Sequence, residues 1–168
     1  MTLTKQGDLQ VMHQLFERYS VRIYNYCVKV TREKAASEDL TQETFYRVIK
    51  HRYSFNQQTF AAWIFTIARN LCFDYLKRME KQELKIEGLE NHLEAGVSDA
   101  ATVDDRMTHL RNALDQLDPL DQELIVLSRY EQLTYKDMAT VLQLSEAAVR
   151  NRLHRALKKL RLQYFKAI

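Results

Sequence analysis

The chain has 168 residues, enough for one domain or two small ones, with only 3 Gly and 1 Pro, and helical spacing of apolar residues almost throughout makes all-α the expected fold class. A net charge of only +3 excludes a uniformly basic nucleic-acid coat, so any such binding must come from local patches. No segment approaches the roughly 18 continuous apolar residues of a membrane span, and the opening MTLTKQGDLQ lacks the basic-then-apolar order of a secretory signal, so a cytoplasmic protein without membrane insertion is expected.

Asp8 to about Val30 is the first predicted helix, with Leu9, Met12, Phe16, Tyr19, Ile23, Tyr26 and Val30 at alternating steps of three and four. Thr31 to Lys34 is a polar break. The second helix spans about Ser37 to Lys50, with Ala36, Leu40, Phe45, Val48 and Ile49 on its inner side. Asp39, Gln42, Glu43, Tyr46 and Lys50 share another face, beside Glu38 and Arg47. Such a face is ordinarily solvated surface. An acidic, amide-bearing face also suits a basic helical partner and repels DNA. Cys27 and Cys72 lie within apolar helical patterns and are expected as buried free thiols rather than a disulfide or metal pair.

His51 to Thr59 is a polar loop carrying aromatics, and the third helix runs from Phe60 to about Arg78. Phe60, Ile64, Ile67, Leu71 and Tyr75 follow its buried spacing, while Ala62, Thr66, Arg69, Asn70, Phe73 and Lys77 occupy the other side. Most helical aromatics are core. Cations interleaved with rings are also what holds single-stranded nucleic acid, by tracking phosphates and stacking on unpaired bases. From Glu80 to about Asp105 the character changes: acidic residues dominate, Gly88, Gly96 and Ser98 interrupt, and no apolar stripe survives. This reads as a flexible acidic linker. It sets residues 1–79 and 104–168 apart as two small helical domains, with the linker over 80–103.

In the second domain, Met107, Leu110, Ala113, Leu114 and Leu117 outline one helix. Asp118-Pro119-Leu120-Asp121 is a helix start, with Asp as cap, Pro first and Asp in the first turn. Leu124, Ile125 and Leu127 mark that helix. Thr134 then caps a short helix through a capping box with Asp137, ending near Leu142. Gln143-Leu144-Ser145 is a turn, and Ser145 caps the final helix. There, Val149, Leu153, Ala156 and Leu160 form a docking stripe, and Ala147, Arg150, Asn151, His154 and Lys158 fall opposite. Arg150, Arg152, Arg155, Lys158, Lys159 and Arg161 carry no carboxylate among them. The small residue permits close approach to a groove. Arg and Asn can make bidentate contacts to base edges, and Lys neutralises phosphate. A solvated basic helix is the plain alternative; the capped short helix and turn favour a DNA-binding helix-turn-helix.

These stretches together resemble a known family. Ala36-Ser37-Glu38-Asp39-Leu40-Thr41-Gln42-Glu43-Thr44-Phe45 resembles region 2.2 of bacterial sigma factors. Phe60-Ala61-Ala62-Trp63-Ile64, continuing through Ile67-Ala68-Arg69-Asn70 to Asp74 and Arg78, is similar to regions 2.3 and 2.4. Leu117-Asp118-Pro119 through Arg161 resembles region 4. The two-domain layout without region 3 resembles the extracytoplasmic-function (ECF) class of the sigma-70 family.

The resemblance implies a sigma factor that directs core RNA polymerase to the promoters of a stress- or envelope-responsive set of genes. It implies binding of the β′ clamp coiled coil through Asp39, Gln42, Glu43 and Tyr46, with the β flap as a further polymerase contact. It implies recognition of a melted minus-10 element through the 51–59 loop and its helix, with Ser54, Phe55, Asn56, Trp63, Arg69, Asn70 and Lys77 near the DNA. Duplex at minus-35 would be read by Thr134, Ala147, Arg150, Asn151, His154, Arg155 and Lys158. The linker would pass near the polymerase cleft and RNA exit channel. A cognate anti-sigma factor, often membrane-anchored, is a further implied partner; no cofactor and no metal is expected. Two departures stand out: Gln143 occupies a turn position often held by Gly, and Ser37 replaces the more usual acidic pattern.

Two other functions remain open from the residues. An autonomous helix-turn-helix regulator would bind operators as a symmetric dimer, but no separate dimerisation heptad is visible. A helical metalloprotein would need clustered ligands, whereas His13, His51, His92, His109 and His154 are scattered.

Overall fold

The computed structural model of the chain describes residues 9–55, 58–86 and 105–166. Among these residues all regular structure is helical. The chain divides into two compact units. The first holds α1 (Leu9–Thr31), α2 (Lys34–Lys50), a single 3₁₀ turn (Arg52–Ser54) and α3 (Phe60–Ile86). The second holds α4 (Asp105–Asp115), α5 (Pro119–Ile125), α6 (Tyr135–Leu142) and α7 (Glu146–Lys166), with a π-helical turn over Val126–Tyr130 continuing α5.

In the first unit α1, α2 and α3 pack against one another in all three pairs. Tyr19, Ile23 and Tyr26 of α1, Leu40, Phe45 and Val48 of α2, and Ile64, Phe65 and Leu71 of α3 are buried between them. Tyr26 meets Phe65 edge to face, ring centroids 5.5 Å apart, the geometry favoured by ring quadrupoles. Arg32 adopts a φ of 60°, which stops α1 and turns the chain into α2 within two residues. Cys27 and Cys72 are free and buried, as expected. A hydrogen bond from Cys72, opposed by burial and aided by Thr41, holds the Cys27 thiol below its usual range.

Three features differ from the periodicity. Ile49, placed on the inner side of α2, is 48% exposed, and Phe16 of α1 is half-exposed against the rim of Phe45. Ser37, Thr41 and Thr44 are buried in α2 instead. Their hydroxyls donate to the carbonyls of Glu33, Ser37 and Leu40 one turn earlier, so no polar group is stranded, and their small volume admits close helix packing. Finally, α3 runs to Ile86 rather than to about Arg78. Residues 80–86 of the expected linker are therefore helical, because Lys81, Gln82, Glu83, Leu84 and Lys85 are strong helix formers and no Gly intervenes. Residues 87–103 of that linker lie outside the described residues.

In the second unit α7 is the common partner of α4, α5 and α6. Asp118 caps α5, accepting from Leu120 N at 3.0 Å, and Pro119 opens the helix as expected. Val149, Leu153 and Ala156 of α7 are buried against Leu124, Leu127, Met138, Val141 and Leu142. The turn between α6 and α7 is built as the residues indicated. Thr134 accepts from Asp137 N at 3.1 Å and donates to the Asp137 carboxylate at 2.8 Å. Gln143 takes the left-handed conformation, φ 56° and ψ 42°, that Gly would hold more easily. Ser145 accepts from Ala148 N at 3.1 Å.

Candidate functional site

Three surfaces carry the predicted residues. On α2, Asp39, Gln42 and Tyr46 are exposed on one face together with Glu38, Ile49 and Lys50. Glu43 is half-buried and accepts from Arg47 Nε at 2.8 Å, so its charge is already partly matched. Lys50 lies 5.7 Å from the centroid of the Tyr46 ring. The face thus offers two exposed acids, Glu38 and Asp39, an amide, a ring and an aliphatic side chain. The exposed Ile49 adds an apolar contact that the periodicity had assigned to the core. Such a mixture fits a protein partner better than a polyanion.

The second surface is the loop before α3 and the outer side of that helix. Its 3₁₀ turn is internally braced. Arg52 donates to Ile49 O at 2.9 Å and to the Tyr53 hydroxyl at 2.7 Å, and Ser54 Oγ donates to His51 O at 2.7 Å. Thr59 caps α3 by accepting from Ala62 N at 3.1 Å. Trp63, expected near the DNA path, is only 9% exposed. Its ring packs 5.0 Å from Phe55 and 6.0 Å from Phe60, and Phe60 in turn contacts Tyr19 at 5.1 Å. Trp63 therefore anchors the loop from beneath through Phe55, which is half-buried. Ala62, also placed on the outer side, is buried as well. Arg69 is half-buried with its guanidinium 4.5 Å from the Phe73 centroid, and Asn70 and Lys77 are exposed. Asn56 lies outside the described residues.

Further along α3, the Tyr75 hydroxyl donates to the Glu33 carboxylate at the start of α2. Burial, followed by that hydrogen bond and the Glu33 charge, pushes the Tyr75 phenol up to about 12. This bond ties the α1–α2 connection to α3.

The third surface is α7. Ala147, Arg150, Asn151, His154, Arg155 and Lys158 are all exposed, and Thr134 is exposed beside them at the start of α6. The docking stripe and the outward face fall as the helical wheel required. Two other cations of the basic run are already paired with carboxylates of α5 and its cap. Arg152 donates through Nε to Asp121 at 2.7 Å and through Nη2 to Asp118 at 2.7 Å, and Lys159 donates to the second Asp121 oxygen at 2.9 Å. Asp121 is 2% exposed. Burial by itself would push its carboxyl up, but the hydrogen bonds from Lys159 and Arg152 and their charges hold it below the ordinary carboxylate range. The clamp locks α7 onto α5. Sequence reasoning read Asp121 only as a first-turn acid. The signal available was the seven-residue spacing of Arg152 and Lys159, which places both on one flank of α7.

Two residues outside the predicted set touch the outward face. Tyr135 has its ring centroid 5.3 Å from the Arg150 guanidinium, and Glu146 accepts from Arg150 Nη2 at 3.2 Å. Among the described residues no cluster of His, Cys, Asp or Glu could hold a metal ion, and no helix is long and apolar enough to cross a membrane.

Comparison with known proteins bears on both units. Residues 15–82 match the family description Sigma-70 region 2, and residues 108–160 match Sigma-70, region 4. The chain is 30% identical to RNA polymerase sigma factor CarQ of Myxococcus xanthus over 162 residues, covering 94% of this chain and 91% of that protein. It is 26% identical to ECF RNA polymerase sigma factor SigM of Bacillus subtilis over 156 residues, covering 92% and 96%. Among solved structures, its fold is similar to that of the sigma factor RpoE in complex with the anti-sigma factor NepR from Bartonella quintana, with a TM-score of 0.74 at 19% identity over 92% of this chain and 97% of that one. It is also similar to CnrH in complex with the cytosolic domain of CnrY, with a TM-score of 0.70 at 24% identity over 96% and 92%.

Proposed function

The chain belongs to the sigma-70 family, in its extracytoplasmic-function class, and we propose that its two units divide the family's task of promoter-directed transcription initiation between them. The second unit reads duplex DNA at minus-35 through Arg150, Asn151, His154 and Arg155, with Lys158 and Thr134 on phosphates and Ala147 permitting close approach. The first unit docks on the polymerase β′ clamp through Asp39, Gln42, Tyr46 and the partly matched Glu43. Ser54, Phe55 and Asn56 of its loop, with Arg69, Asn70 and Lys77, follow the melted minus-10 strand. The buried Trp63 serves this surface by holding Phe55 and the loop in place.

One observation carries the reading. In α7 the basic face that would meet a groove is exposed, while Arg152 and Lys159 on the flank are neutralised by Asp118 and Asp121. A merely solvated basic helix has no need of that sorting. The factor performs no catalytic chemistry itself: binding energy for unpaired bases shifts the duplex toward the open state. A cognate anti-sigma factor covering these surfaces, and a cytoplasmic location, belong to the same proposal. The β flap and the RNA exit channel are the remaining polymerase contacts it implies.

The test is binding to purified core RNA polymerase followed by titration with promoter duplex. The expected result is tight promoter binding only by the complex. Tight, polymerase-independent binding of a symmetric operator by a dimer of the chain would replace this proposal with an autonomous regulator.

A further inference from the structure

Tyr135 and Glu146 flank the residue to which base recognition is assigned, and neither has a role in that assignment. We propose that they are positioning residues that hold the Arg150 guanidinium as a preset fork for a guanine edge, and so determine base discrimination at one position of the minus-35 element. The inference rests on the assignment of Arg150 to the duplex.

Both groups are rooted in fixed backbone. Tyr135 is the first residue of α6, immediately after the Thr134 cap, whose hydroxyl is tied to Asp137 by two hydrogen bonds of 3.1 and 2.8 Å. Glu146 is the first residue of α7, immediately after the Ser145 cap. A carboxylate at that end of a helix is favoured by the helix dipole. From these roots the ring lies 5.3 Å from the Arg150 guanidinium carbon, within cation–π range, and the carboxylate accepts one Nη2 hydrogen at 3.2 Å. The ring limits the side chain in one direction and the carboxylate limits it in another. Of the five N–H donors on an arginine, Glu146 engages one and leaves the rest for a base edge.

Lys158 shares the exposed face with Arg150 but has no such support among the described residues, as suits a phosphate contact that needs charge rather than aim. Glu146 also has a cost that marks its role. A carboxylate on a face that meets phosphates weakens binding to every duplex, whereas any gain from holding Arg150 is confined to the base that Arg150 reads. Affinity and discrimination should therefore move in opposite directions when Glu146 is neutralised.

The experiment uses core polymerase loaded with the full chain. Its affinity is measured for promoter fragments carrying each of the four base pairs at every minus-35 position, with wild type, Arg150→Ala, Tyr135→Phe, Tyr135→Leu and Glu146→Gln. Arg150→Ala abolishes discrimination at one position and so identifies it. Tyr135→Leu and Glu146→Gln each lower discrimination there by about 3–5-fold and leave other positions unchanged. Tyr135→Phe, which keeps the ring, behaves as wild type. Glu146→Gln also tightens binding to mismatched fragments. If Arg150→Ala identifies a position but Tyr135→Leu and Glu146→Gln leave discrimination there intact, the positioning role is overturned and the base contact stands. If Arg150→Ala weakens all fragments equally, Arg150 is a phosphate contact and both readings fall. Should Tyr135→Leu fail to fold, Glu146→Gln at its exposed site decides alone.

Discussion

Replacing Asp121 by Asn removes the charge at the centre of the clamp that fixes α7 on α5. The magnitude follows from the geometry. Asp121 is 2% exposed and accepts two short charge-assisted hydrogen bonds, from Arg152 and Lys159. Such bonds contribute about 1.5–3 kcal/mol each when buried. The Arg152 and Lys159 side chains are 34% and 58% exposed, so both cations regain water once released, and the lower end of that range applies. Asn retains a carbonyl oxygen for Arg152 but turns an N–H₂ donor toward the Lys159 ammonium. The expected loss is about 2–3 kcal/mol, close to the cost of breaking a buried ion pair after discounting for solvent. For a unit of this size that lowers the melting temperature by roughly 8–24 °C.

Urea unfolding of the full chain, with amide exchange resolved to α5 and α7 and α1–α3 as the internal control, measures the loss. The pH dependence adds a sign. The Asp121 carboxyl is held below its ordinary range, so its contribution is present above the ordinary carboxylate value and lost as pH falls through the folded one. The gap between wild type and Asp121→Asn should be constant from about pH 8 to 5 and close below about pH 4. A gap under about 0.5 kcal/mol at neutral pH would refute the clamp.

Three further substitutions have defined outcomes. Asp39→Lys, at an exposed position of α2, should weaken core-polymerase binding on the order of 10-fold while unfolding stability stays within about 0.5 kcal/mol, read by competition binding and circular-dichroism melting. Unchanged affinity would count against α2 as the docking face. Lys158→Ala should reduce the slope of promoter affinity against log salt by about 1. Its neighbour Lys159→Ala should leave that slope unchanged, because its ammonium is already bound to Asp121. Gln143→Gly should stabilise the second unit by about 0.5–1 kcal/mol in urea unfolding, since the side chain is exposed and φ is 56°.

What could be read from residues alone was what is local. The Thr134, Ser145 and Asp118 caps, the Pro119 start and the strained Gln143 turn each depend on neighbours within a few positions, and each stands in the structure. The same is true of the α7 wheel, where a 3.6-residue period separates Val149, Leu153 and Ala156 from Arg150, Asn151 and His154.

Depth and long-range pairing were not legible. A wheel gives an angle but not how far a neighbouring helix extends over it. Ile49 and Phe16 therefore fall outside their core and Trp63 inside it. Arg152 and Lys159 stand in the sequence only as part of the basic run, because their partner Asp121 lies 31 and 38 residues away, beyond any local pattern. Ser37, Thr41 and Thr44 are absent from the inner side that the apolar pattern outlines, because an apolar stripe does not register buried hydroxyls. Their hydroxyls satisfy themselves on their own helix, which removes the penalty for burying them. The end of α3 was set too early because a vanished apolar stripe was taken as the end of the helix, although helix propensity persists to residue 86.

The most direct test of the central claim is run-off transcription with purified core bacterial RNA polymerase, this protein and a pooled library of promoter fragments from its own genome. Defined starts that appear only when the protein is added, sharing two upstream sequence elements, are the predicted result. An absence of new starts, together with no detectable core binding and tight duplex binding by the protein alone, would contradict it.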